Sequence, residues 1–96
     1  MLIGGIYKTK ENRVIIILEK TDDTIMWYKL NMSASIFKRY FCIDCLERSL
    51  QDEHFENHVM YSNVKETEKN NDGYFGQVPD DSWKNIKDKM EKFKNK

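Results

Sequence analysis

The sequence predicts a small α+β domain: a strongly bent antiparallel sheet or partly open barrel, with one inserted helix and one amphipathic C-terminal helix. Three observations support this prediction. Residues 1–30 contain β-prone runs separated by polar turns, the apolar pattern changes to helical spacing after Ser33, and a second helical stripe follows Pro79. At 96 residues the chain is long enough for one core and too short for two, so we expect a single domain, residues 1–96.

The first two strands are predicted at 3–8 and 13–20. A polar turn separates them, and in this turn Asn12 tolerates the left-handed conformation of a tight hairpin. The apolar run 14–18 does not alternate, so we expect this strand to be central and covered on both faces. The third strand is predicted at 24–30. The side chains that alternate to its two faces are largely apolar in both cases, so both faces should be buried at least where the strand begins.

The middle of the chain changes from strand to helix and back. Ser33 is a suitable N-cap, and the spacing after it predicts a helix over 34–50. Short β-prone runs predict a fourth strand at 58–64 and a fifth at 74–78. Residues 65–72 are rich in Glu, Lys, Asn and Asp, so we expect a mobile loop there.

The C-terminal helix, predicted at 80–94, has the clearest signals. Pro79 and two carboxylates stand at its start, where proline fits the first turn and the helix dipole favours negative charge. Apolar side chains recur in this helix at spacings of three and four: Trp83, Ile86, Met90 and Phe93. We expect this stripe to dock against the sheet.

Charge and hydropathy narrow the class of partner. Sixteen basic and sixteen acidic side chains cancel, whereas nonspecific nucleic-acid binding depends on a net positive field. We therefore expect a protein or a small ligand as the partner, foremost a protein, rather than nucleic acid, and a homodimer stays open. No apolar run approaches the ~20 residues of a membrane span, and the N-terminus lacks a signal-peptide pattern. The prediction is a cytoplasmic protein with no membrane partner.

The Cys and His residues form one cluster with the spacing Cys-x2-Cys-x8-His-x3-His: Cys42, Cys45, His54 and His58. Zinc prefers about four N or S ligands in tetrahedral geometry, which the cysteine pair and the histidine pair could supply together. The central gap is shorter than in most zinc fingers, and cysteines on a helix are more often small buried hydrophobes. We expect no metal and no other cofactor, with a zinc-stabilised interaction module as an alternative.

Two pairs of aromatic residues are candidate partner contacts. Trp27 and Tyr28, with Lys29, can form an aromatic and basic surface, although the interpretation we favour places Trp27 beneath the stripe of the C-terminal helix. Tyr74 and Phe75 lie between glycines after the predicted loop and are expected to be exposed, either as a partner contact or as a plain turn into the last strand. Since the sequence shows no activated nucleophile or acid/base pair, we predict a binding protein and name no catalytic residue.

Short motifs in the first half of the chain form one set: Gly5-Ile6-Tyr7, then Arg13 before the strand at 14–18, then Met32-Ser33 opening a segment with Phe37 and Phe41. In these motifs the chain resembles small Src-homology-3-like barrel proteins of phages and mobile elements. The resemblance implies an accessory protein or inhibitor that acts by binding a host or defence macromolecule, foremost a protein.

A more distant resemblance is to the MazF/PemK toxin ribonucleases. These also open with Gly-x-Ile-Tyr, carry an Arg before the second strand and end in a helix. The chain departs from them at Val14, because such toxins usually have proline after the arginine that Arg13 matches. This resemblance implies a toxin-like ribonuclease or RNA-binding barrel as the alternative function, with Arg13 and Tyr28 as the candidate residues.

We predict that the purified protein contains no stoichiometric zinc and that a chelator leaves its unfolding transition unchanged, because a domain of this size can fold on its own core. Metal analysis of the wild type and of a Cys42→Ser/Cys45→Ser variant checks this. Zinc near one equivalent in the wild type, lost in the double variant, would contradict the prediction.

Overall fold

The computed structural model describes residues 1–39, 46–48 and 50–95. Five strands form one antiparallel sheet in the order β4-β3-β2-β1-β5. The strands are β1 (Gly5–Thr9), β2 (Arg13–Lys20), β3 (Thr24–Ser33), β4 (Val59–Asn63) and β5 (Asn71–Gln77). The helices are α1 (Ala34–Arg39), α2 (Asp52–His58), α3 (Val64–Asn70) and α4 (Asp80–Lys94). Residues 46–48 are also helical.

These elements confirm the α+β class and the antiparallel sheet. The predicted ranges 13–20 and 80–94 coincide with β2 and α4. The hairpin before β2 contains Asn12 at φ 61°, the left-handed conformation that its side chain tolerates. The strand ladder ends at β4 on one side and at β5 on the other, so over the described ranges the sheet is open and not a closed barrel.

Two predicted segments differ from the structure. Of the helix expected over 34–50, α1 covers Ala34–Arg39, and residues 40–45 lie outside the described ranges. The mobile loop expected at 65–72 is wrong, because α3 and the start of β5 occupy it. Asn63 caps α3 by accepting a hydrogen bond from the backbone N of Lys65 at 2.9 Å. Thr67 is the buried residue of α3, and Val64 at the start of the helix packs against a buried apolar cluster of the sheet, so the inner side of this polar segment is anchored.

The central strand β2 is buried on both faces. Val14, Ile16 and Leu18 point to one face, and Ile15 and Ile17 point to the other, each at most 3% exposed. This confirms the expectation drawn from the unbroken apolar run. We call the first face the α4 face and the second the α3 face, after the helices that pack on them.

The apolar stripe of α4 docks on the α4 face, as predicted. Ile86 and Met90 are buried in the main core, and Trp83 and Phe93 pack against it half-buried. Polar bonds hold the same helix to residues 46–48: Ser82 Oγ donates to a Glu47 carboxylate oxygen at 2.7 Å, and Asn85 Nδ2 donates to the other at 3.1 Å.

Trp27 does not lie beneath this stripe, so the interpretation that placed it there is wrong. Side chains alternate along β3, and the register puts Trp27 on the α3 face beside Ile25. Met26 and Tyr28 point to the α4 face instead.

The link between the two edge strands requires a curled sheet. β4 ends at Asn63, β5 begins at Asn71, and α3 is the whole connection. Across a flat five-stranded sheet the edges would be about 19 Å apart, because strands lie about 4.8 Å from one another. A helix of this length rises only about 10 Å. The sheet therefore curls over the α3 face, which brings its edges towards each other.

We predict that Ile86→Ala lowers the free energy of unfolding by about 3 kcal/mol, because truncation inside a packed core leaves a cavity. Ile36→Ala removes the same atoms from a side chain that is 53% exposed, so its cost should stay below about 0.5 kcal/mol. Urea denaturation of both variants measures the difference. Equal losses would mean that the α4 stripe is not docked as described.

Candidate binding groove

A groove opens on the α3 face between α3 and strands β1 to β4. It has two compartments, with volumes of about 270 Å³ and about 260 Å³. Both are lined by Thr9, Ile15, Trp27 and Asn70, so they form one continuous depression. The first is completed by Ser62, Glu66 and Thr67, and the second by Glu11, Arg13 and Lys29.

Trp27 forms the centre of the groove. Its ring is half-buried, and its Nε1 donates a hydrogen bond to Ser62 Oγ on the neighbouring strand β4 at 3.0 Å. This bond satisfies the polar atom of the indole and holds the ring in one orientation. The apolar part of the ring then lines the groove beside the buried side chain of Ile15.

Arg13 and Lys29 place two positive charges at one end of the groove. Arg13 Nη2 donates to the Leu30 carbonyl oxygen at 2.9 Å, while its Nε is enclosed and has no hydrogen-bond partner in the described part of the chain. Neither cation forms an ion pair with a described carboxylate. A partly desolvated guanidinium without a direct ion pair is costly, so a ligand carboxylate or phosphate would be attracted to this end.

Glu11 and Glu66 bring negative charge to the same groove. Asn70 Nδ2 donates to a carboxylate oxygen of Glu11 at 2.8 Å, and this hydrogen bond lowers the pKa of Glu11. Glu11 is therefore ionised at neutral pH. Glu66 lines the other compartment from α3. The groove thus balances two cations with two carboxylates around an aromatic and aliphatic floor.

Tyr28, predicted as a partner contact, has no exposed surface. Its ring packs 4.9 Å from the Phe55 ring in the main core, and burial raises the pKa of its hydroxyl. A side chain without surface cannot meet a partner, so Tyr28 is a core residue. The adjacent residue Trp27 is available because strand alternation turns it to the other face.

Tyr74 and Phe75 are also neighbours on one strand, β5, whose side chains point to opposite faces of the sheet. Tyr74 is 51% exposed, and its hydroxyl donates to the side-chain oxygen of Gln77 at 3.2 Å. Gln77 in turn donates to the Ile3 carbonyl oxygen at 3.1 Å, so Tyr74 belongs to an ordered patch with the exposed side chain of Ile3. The prediction of exposure holds for Tyr74. Phe75 is half-buried with its ring 5.1 Å from that of Phe37, so it chiefly supports the core.

The two histidines of the Cys/His cluster stack on one turn of α2, with ring centroids 3.8 Å apart. Carbonyl oxygens can only accept, so His58 Nδ1–H donates to the His54 carbonyl at 2.9 Å and His54 Nε2–H donates to that of Lys29 at 3.2 Å. Cys42 and Cys45 lie outside the described residues. Over the described ranges no three His, Cys, Asp or Glu side chains are grouped to hold a metal.

Sequence reasoning missed the α3 wall of the groove, and with it Glu66 and Asn70, because the polar composition of the segment predicts a loop. A signal was present: Asn63 is followed three residues later by Glu66, the spacing of a helix capping box.

Neither a protein-family model, nor a curated protein, nor a solved structure shows significant similarity to this chain. Over the described residues, no helix has the length and apolar character that crossing a bilayer requires.

We predict that stability falls as the pH drops below about 6.5. Desolvation, and then the proximity of His58, lower the pKa of His54 in the folded state. The unfolded chain therefore takes up its proton at a higher pH than the folded chain, and acid favours unfolding. Urea denaturation between neutral pH and pH about 5, above the range where most carboxylates titrate, measures the slope.

His54→Gln should flatten this pH dependence, while His58→Gln, which keeps His54, should retain most of it. An unchanged slope in His54→Gln would show that other groups cause the acid sensitivity.

Proposed function

We propose that this chain is a binding protein and that its groove takes a segment of a protein partner. The observation that carries the proposal is the half-exposed Trp27 beside Ile15, in a groove rimmed by charges of both signs. A fixed aromatic anchor in an apolar depression, surrounded by polar groups, is the usual composition of an energetic hot spot between proteins.

The charges of the groove favour protein over nucleic acid. Arg13 and Lys29 attract an acidic group, but Glu11 and Glu66 repel one in the same depression. A nucleic-acid strand brings a negative phosphate at each nucleotide, so its binding needs a surplus of cations. A polypeptide segment can present an apolar side chain to Trp27 and charges of either sign to the rim.

Tyr74 extends the proposed contact surface. It lies on the α3 face of β5, where its ring is 5.1 Å from that of Tyr7. Tyrosine held by hydrogen bonds loses little side-chain entropy when it binds, which favours its use in interfaces. We propose a host or defence protein in the cytoplasm as the partner, on the resemblance to small phage and mobile-element proteins.

RNA binding is the second candidate, because Arg13, Lys29 and Trp27 meet in one compartment. Cations beside an aromatic ring can hold a phosphate while a base stacks on the ring. The toxin-like alternative depends on this compartment through Arg13 alone, since Tyr28 is buried on the other face.

We predict that a display library of short random peptides yields ligands of the groove whose affinity falls about 30-fold or more in Trp27→Ala, which corresponds to about 2 kcal/mol for a hot-spot side chain. Glu66→Arg reverses the charge of an exposed residue in the α3 wall of the groove. It should change the charges of the peptides that the library enriches, without affecting the core. Ile36→Ala, an exposed apolar change on α1, is the matched control and should bind as the wild type does. Unfolding curves of each variant separate lost binding from lost folding.

Single-stranded RNA at physiological salt should bind the same protein with a dissociation constant above about 10⁻⁴ M. Micromolar RNA affinity with a steep salt dependence, lost in Arg13→Gln, would indicate that the partner is RNA and not a protein. RNA cleavage lost in the same variant would favour the ribonuclease. Peptide ligands that bind Trp27→Ala and the wild type equally would show that the groove is not the binding site.

A further inference from the structure

The strand β4 is an open edge of the sheet. It pairs with β3 along all five of its residues, and this register runs without a shift. Its outer backbone groups belong to no ladder in the described part of the chain. A regular, unpaired edge is a template for a further strand.

The side chains of β4 make this template apolar on both faces. Met60 lies opposite Trp27 on the α3 face and is 45% exposed. Tyr61 lies opposite Met26 on the α4 face and is 60% exposed. The strand Val59–Asn63 contains no charged residue and no proline, two of the devices by which proteins block strand addition.

The other edge strand, β5, carries the protection that β4 lacks. Its pairing with β1 shifts register twice. Gly73 at φ 149° and Gly76 at φ 138° give it a backbone that other residues rarely adopt. Asp72 adds a charge there, paired with Lys8 at 3.3 Å. Irregularity and charge oppose strand addition at β5, so the contrast singles out β4.

We infer that β4 pairs antiparallel with β4 of a second copy of this chain, joining two five-stranded sheets into one. A two-fold axis perpendicular to the sheet and passing beside Tyr61 places Met60 of one copy opposite Ser62 of the other. Because the strand is uncharged, it meets its own copy without like-charge repulsion, as an isologous interface requires. A second copy is also always present at the same concentration.

The pairing also determines how the two grooves of a dimer are placed. What this placement means for binding rests on the proposed function. The two-fold axis keeps each face on its own side, so both grooves open on the same side of the joined sheet. Three strand spacings, about 14 Å, separate the two copies of β3, and the register offsets the two Trp27 positions by two residues along the strands. On an uncurled sheet the two positions therefore lie about 16 Å apart. Such a dimer is suited to a partner that presents its binding segment twice.

Sedimentation equilibrium from micromolar to millimolar concentration tests the pairing. The wild type should reach twice the chain mass. Tyr61→Lys and Met60→Lys should each raise the dimer dissociation constant by at least about tenfold, because both copies place a lysine at the same interface. Tyr74→Lys, an equivalent change of an exposed tyrosine on the other edge, should leave the dissociation constant unchanged.

Hydrogen exchange provides a second measurement that does not depend on a variant. Amides of β4 should gain protection as the wild-type concentration rises, and those of β5 should not. A wild type that stays monomeric, or a dimer that persists in both β4 variants, overturns the inference. So does a dimer broken by Tyr74→Lys. Peptide binding by Tyr61→Lys monomers shows separately whether the groove works, so failure of the dimer and failure of the groove are distinguishable.

Discussion

The structure depends on one constraint: β2 must be shielded from water on both of its faces. The five consecutive apolar residues of this strand leave no face for solvent, and burying them supplies about 25 cal/mol for each Å² of apolar surface removed from water. One face is covered by α4 and its neighbours. The other has only a small cover, made by Val64 of α3 together with Met1 and Trp27, which pack against its buried cluster. The groove exists because this second cover is too small to fill the curled face.

The chemistry of the groove follows from alternation along β3. Trp27 and Tyr28 are neighbours of similar composition, yet Tyr28 is enclosed in the core and Trp27 lines the groove. A shift of the register by one residue would exchange their positions. The bond from Trp27 Nε1 to Ser62 links the groove to the edge strand β4, so any partner that pairs with β4 lies beside the groove.

Prediction from the sequence succeeded where a pattern had one physical reading. The uninterrupted run of β2 requires two covered faces, and the stripe of α4, with Pro79 and carboxylates at its start, has a single docking side. It failed at α3, whose mostly polar composition resembles a loop and whose only buried residue is Thr67. It also misplaced Trp27, because a strand apolar on both faces does not reveal which face α4 will cover.

The sequence by itself determined the α+β class, the central position of β2, the amphipathic α4 and the left-handed turn at Asn12, since each depends on local spacing or on one residue's conformational preference. Only the tertiary structure decided that Arg13, Lys29, Glu11 and Glu66 meet around Trp27. These residues come from separate elements, and their proximity depends on strand pairing and on the path of α3 between the two edges. Pairing between distant segments is set by the whole core, which no local pattern contains.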